Sequence, residues 1–114
     1  MKYTLYYKNI GMGTVVEDDF DFPNLFGFYE LSRTFQSIET NDFLINYINY
    51  SIAADKLMYE NEDEWLKFIE QEEKSFNDLI ESEDWKLAHE EGEIHKILIP
   101  NFCDKNKIVW RWNS

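Results

Sequence analysis

A chain of 114 residues with 44% apolar side chains, 18% of all residues being aromatic, is long and hydrophobic enough for one folded domain, residues 1–114, and argues against disorder despite its charge. Its 23 acids against 11 bases, a net charge of −12, exclude direct nucleic-acid binding, which needs lysine and arginine against phosphates, and disfavour an anionic membrane surface. A lone cysteine, Cys103, rules out an internal disulfide framework, and no stretch approaches the roughly 18 apolar residues of a membrane span or the apolar core of a signal peptide, so a cytoplasmic protein is expected.

The charge is concentrated. Glu60 to Glu93 hold fourteen acids against three lysines. A basic protein is the natural complement of such a stretch, because opposite potentials speed encounter by roughly ten- to a thousandfold at low salt.

Taken in order, Tyr3–Tyr7 is aromatic and β-prone and predicts a first strand. Gly11-Met12-Gly13 predicts a turn, followed by a short strand over Thr14–Val16. The glycine pair lacks the third glycine and the Lys-Ser/Thr of a phosphate loop, so no nucleotide site is expected there. Glu17-Asp18-Asp19-Phe20-Asp21-Phe22-Pro23 gathers four carboxylates in five residues. Its spacing does not fit a calcium loop of the EF-hand kind. The preferred reading is an exposed loop anchored to the core by Phe20 and Phe22; a partner contact is the second reading and a divalent-ion site the third.

Phe26–Leu31 predicts another strand, with Gly27 marking a bulge or the close approach of a second backbone. Arg33–Glu39 is expected to be a loop. Thr40 or Asn41 then caps a first helix, with Asp42 in its positive first turn. That helix is polar only along the narrow stripe Asp42, Asn46, Asn49, Ala53, Lys56, which predicts burial on most sides.

Asn61 caps a second helix, with Glu64 three residues on as in a capping box. Trp65, Phe68, Ile69, Phe76, Leu79 and Ile80 form one apolar stripe at helical spacing. Several acids here serve the helix itself. Glu62, Asp63 and Glu64 lie in the first turn, where the dipole favours anions, and Asp63–Lys67 and Glu70–Lys74 are spaced as i,i+4 ion pairs. Glu72 falls inside the apolar stripe. Either a cation or hydroxyl meets it, or the helix is interrupted there, or the stripe is only partly buried.

Trp85–His89 and Ile94–Ile99, joined by Glu90–Glu93, predict a hairpin, with Pro100 ending it or marking a sheet edge. A second hairpin is expected from Phe102-Cys103 and Ile108–Trp112 across Asp104–Lys107. His89, His95 and Cys103 match no zinc spacing, and a lone cysteine near strands is more often core than nucleophile, so no cofactor or metal is expected. Carboxylates are too abundant for a catalytic pair to stand out, and no enzyme is expected.

The fold expected is α+β: a mainly antiparallel sheet of about five to seven strands with two central helices packed on one face, in the order βββ-αα-ββββ. The segments GMGTVVEDDFDFPNLFGFYEL and ILIPNFCDKNKIVWRW around an acidic helical centre resemble small acidic immunity proteins of bacterial contact-dependent inhibition and polymorphic-toxin systems. That resemblance implies a protein that sits in the producing cell and blocks a cognate toxin, often a nuclease. The acids left for a partner are Asp18, Asp19 and Asp21, then Glu70, Glu73, Asp78 and Glu81, and finally Glu90, Glu91 and Glu93. Two other readings stay open: a phage-encoded nucleic-acid mimic that disarms a host defence or DNA-binding protein, and an acidic adaptor domain without inhibitory role.

Overall fold

Seven antiparallel strands and a helical layer make up the computed structural model, which describes residues 1–113. The strands are β1 (Lys2–Tyr7), β2 (Ile10–Asp21), β3 (Asn24–Leu31), β4 (Trp85–His89), β5 (Ile94–Lys96), β6 (Asn101–Phe102) and β7 (Lys107–Trp110). The helices are α1 (Arg33–Ser37), α2 (Asp42–Glu60), α3 (Glu62–Glu72) and α4 (Asn77–Ile80). The sheet runs β5-β4-β1-β2-β3-β7-β6, which is the α+β architecture and the βββ-αα-ββββ order expected.

The sheet curls until its two edges meet. Just after β5, the Ile97 N–H donates to the Trp85 carbonyl of β4 at 3.0 Å, while Ile97 itself bridges Trp112 beyond β7. Alternate side chains therefore point into a closed interior, where Tyr3, Leu5, Tyr7, Trp85, Leu87, Ile108 and Trp110 pack together.

Gly11 and Gly13 do not make the first turn. Lys8 and Asn9 do, with Lys8 in the left-handed region at φ 55°. The glycines instead flank a bulge in a twelve-residue β2: Leu5 faces Gly13 and Tyr6 faces Gly11, so Met12 is the extra residue and its side chain enters the core. Gly27 bears out the close approach expected of it, since a Cβ there would strike the Val16 carbonyl.

The acidic segment after Val16 is not a loop held by aromatics. It continues β2 past a second bulge, with Phe20 paired to Leu25 and Asp21 to Asn24, and the chain turns at Phe22-Pro23. Phe20 and Phe22 are 72% and 91% exposed. They lie past the start of β1, which reaches back only as far as Val16 and Glu17, so no strand flanks them on that side.

Arg33–Glu39 is likewise not a loop. Ser32 caps α1 by accepting from the Phe35 N–H at 3.0 Å, and Phe35 is buried. A 3-10 turn over Glu39–Asn41 leads into α2, whose N-cap position is Asn41. The Asn41 side chain makes no cap bond; its amide is buried and donates to the Phe35 carbonyl at 3.1 Å, tying α1 to α2.

Helix α2 is less buried than its composition implied. Leu44, Tyr47, Ile48 and Ser51 face the core, but Phe43, Met58 and Tyr59 are exposed, because the sheet covers one flank and α3 only part of another. Helix α3 begins as expected, with the Asn61 side chain accepting from the Glu64 N–H at 3.1 Å. It packs chiefly on α2 and has no fully buried residue.

Two of the three possibilities for Glu72 hold: the helix is interrupted, and the stripe is only partly buried, with Trp65, Phe68, Ile69 and Phe76 half-buried. α3 ends at Glu72, a 3-10 turn covers Glu73–Phe76, and Glu72 is exposed. The tighter turn rotates the apolar stripe so that Phe76 reaches Tyr47, ring centroids 5.7 Å apart, while Glu72 stays in solvent. α4 is then pinned by the Trp85 indole, which donates to the Leu79 carbonyl at 3.0 Å. The predicted ion pairs Asp63–Lys67 and Glu70–Lys74 are absent among the described residues, all four side chains being exposed where water competes with the pair.

Candidate protein-binding surface

All ten acids picked out as partner contacts are exposed. The fold divides them. β1 pairs Lys2 with Val16 and Tyr3 with His89, so the overhang of β2 and the β4–β5 tip leave the sheet at the same end. Asp18, Asp19 and Asp21 therefore stand on one side of the start of β1, and Glu90, Glu91 and Glu93 on the other. Asp78 and Glu81 sit toward the opposite end, where the Lys8 N–H donates to the Asp84 carbonyl at 2.9 Å, while Glu70 lies on α3 and Glu73 on the 3-10 turn that follows it. One continuous ten-residue patch does not form.

Few of these charges are compensated from within. Among the described residues two ion pairs come within 4.0 Å, Lys56–Asp104 at 3.9 Å and His95–Glu93 at 3.4 Å, and the second is charged only when the imidazole is protonated. Several lysines lie on the outer face of the sheet instead: Lys2, Lys86, Lys96 and Lys107 occupy positions whose neighbours in β1, β4 and β7 point inward. Lys86 rests 5.9 Å from the ring centre of Tyr6.

The helical layer also encloses a cleft that the sequence did not disclose. It lies between α2, α3 and the β6–β7 hairpin and has a volume of about 480 Å³. Ser51, Ala54, Asp55 and Met58 recur at i, i+3, i+4, i+7 and form its α2 wall. Small residues at two of those positions leave the room. Trp65, Ile69 and Glu73 form the facing wall, and Cys103 lies opposite on the hairpin. The helical period of Ser51–Met58 was legible in the sequence. What could not be read there is that α3 stops short of closing over it.

The acids around the cleft act on weaker acids inside it. Burial, then Asp55, push the Cys103 thiol up to about 11, and Lys107 offsets only part of this. Burial raises the Tyr50 phenol, with Glu73 and then Glu72 adding to it. Tyr47 is raised far more, almost wholly by burial, and its hydroxyl donates to the Pro100 carbonyl at 2.8 Å.

The three soft metal ligands do not meet. His89 lies against Tyr3 and His95 against Trp112, whereas Cys103 faces Asp55 across the cleft. Among the described residues no group of three His, Cys, Asp or Glu is placed to hold a metal ion, and no helix is long and apolar enough to cross a membrane. Comparison with protein-family models, with curated proteins and with solved structures finds no match.

Proposed function

We propose that this chain is a non-enzymatic inhibitor: an immunity- or antitoxin-type protein that binds and neutralises a basic cognate toxin of the nuclease class through its acidic surface, inside the cell that makes both. The observation that carries this reading is uncompensated charge. Exposed carboxylates far outnumber the internal ion pairs, and they are held on a closed sheet and capped helices, not on a floppy tail. An array of carboxylates on a folded backbone complements a site built to bind phosphates, and only its side chains have to be ordered on binding.

The test is capture and release. The immobilised chain is exposed to lysate of its native host at low salt, bound protein is eluted with salt, and the eluate is assayed for nuclease activity with and without added chain. A basic nuclease that the added chain silences is the expected result. Raising salt from about 0.1 M to about 1 M shortens the screening length from about 10 Å to about 3 Å, so association should slow steeply. A partner that binds equally fast at both concentrations would remove the electrostatic basis of the proposal.

A further inference from the structure

We propose that the cleft between α2, α3 and the β6–β7 hairpin is a receptor for a cationic side chain of the partner, an arginine or a lysine, that enters past Trp65 and Tyr59 and is met by Asp55 and Glu73. This rests on the reading of the chain as a binder of a basic protein, and it names the part of the surface that takes up an individual charge.

Three independent features support it. The first is room: about 480 Å³ lies within the range of about 300–1,000 Å³ typical of sites that enclose a small ligand. The second is the sign of the field. Asp55 and Glu73 come from opposite walls, and each acts on a weak acid lining the cleft, Asp55 on the Cys103 thiol and Glu73 on the Tyr50 phenol. The nearby cations do not cancel them. Lys56 is turned to Asp104, and Lys107 is outweighed at the thiol.

The third feature is the aromatic entrance. Tyr50 has its ring stacked on Phe68 and Phe76, at 5.5 and 4.9 Å between centroids. Among the described residues no aromatic ring or cation is paired with Trp65 or Tyr59, and Tyr59 is 80% exposed. Tyr6 and Tyr7, by contrast, already carry lysines of this chain within 6 Å of their rings. Indole is the best natural partner of a guanidinium, and a cation held against a ring and two carboxylates is recognised by shape as well as charge.

The probe is capped tetra-arginine, with capped tetra-citrulline as its neutral counterpart of nearly equal size, titrated at low salt into the isotopically labelled chain. Two readouts are followed: the indole N–H resonance of Trp65, and the backbone amide resonance of Cys103. Tetra-arginine is expected to shift both, and the Asp55→Asn/Glu73→Gln variant to weaken its binding about tenfold. Tetra-citrulline is expected to shift neither.

Shifts confined to Asp18–Asp21 and Glu90–Glu93, with Trp65 and Cys103 unaffected, would overturn the cleft as receptor and leave the acidic-surface reading standing. Equal effects of the two peptides would overturn the cationic occupant. No response anywhere to tetra-arginine would overturn both this inference and the reading beneath it. If the double variant fails to fold, the two readouts on the unmodified chain still decide.

Discussion

Ser51 Oγ accepts a hydrogen bond from the Phe102 N–H at 2.7 Å and donates one to the Phe102 carbonyl at 3.0 Å. One hydroxyl on α2 thus satisfies both outward backbone groups of the last strand in the sheet. β6 has no further strand to pair with, and an unpaired buried edge would be costly. Replacing Ser51 with alanine leaves both groups buried and unmatched. The expected loss is about 2–4 kcal/mol, seen as a lower urea midpoint at unchanged slope. A change below about 0.5 kcal/mol would mean that water replaces the hydroxyl freely.

Stability should fall in alkali, and the direction follows from which state holds its protons longer. Cys103 is raised from 9.0 to about 11 in the fold, and Tyr3, Tyr29, Tyr47 and Tyr50 are all raised above 10.0, each chiefly by burial. The folded chain therefore binds more protons than the unfolded one in this range. Their contribution is complete below the unfolded values and is lost as pH climbs through the folded ones. The urea midpoint should be level from neutral pH until the unfolded cysteine begins to titrate near 9, then drop. Cys103→Ala should drop less steeply between about 9 and about 11. At pH 8 the same thiol should alkylate roughly tenfold more slowly than a free cysteine with its pKa at 9.0, the smaller thiolate fraction being offset in part by the greater reactivity of the more basic thiolate.

Phe20→Ser and Phe22→Ser should each change stability by no more than about 0.5 kcal/mol, as exposed positions do. A core anchor of that size would cost about 3–5 kcal/mol on truncation. Thermal melts of the two variants separate the outcomes cleanly.

Lys105 and Asn106 occupy consecutive left-handed positions, φ 60° and 61°, at the turn between β6 and β7. Asparagine adopts that conformation at less cost than lysine. Lys105→Gly should stabilise the chain by about 0.5–1 kcal/mol, the relief of the left-handed penalty exceeding the added entropy of glycine in the unfolded chain. A lower melting temperature would show the turn to be held by contacts of the lysine stem.

The fold class was legible because strand alternation and helix period are local. Tyr3–Tyr7, Trp85–His89 and the stripe from Trp65 onward announce themselves, and Asn61 marks its helix start with a cap that the structure reproduces. Errors arose where two local codes compete. Gly11 and Gly13 carry the signature of a turn, yet serve a bulge that only the register with β1 reveals. Phe20 and Phe22 look like core residues, and only the run of the β2–β3 hairpin past the start of β1 shows that they are exposed. Glu72 shows the same limit: a wheel drawn with one period assumes a helix that does not change its pitch. The acids of the surface were easy to find by type. Asp55 does not stand out by type, because it is set apart only by lining a cleft that exists once α3 is docked.

The joining of the sheet's edges has a consequence for order in time. The Ile97–Trp112 bridge joins the segment after β5 to the segment after β7, and β1 pairs with β4, a partner distant in sequence. Closure of most of these loops precedes the contacts that reward it, so folding should be slow for a protein of this length. Until the seam forms, the flanks of β4 and β3 are open to any other extended chain. A newly made copy is thus most vulnerable to clumping in the interval before residues 107–113 are in place, and most secure afterwards.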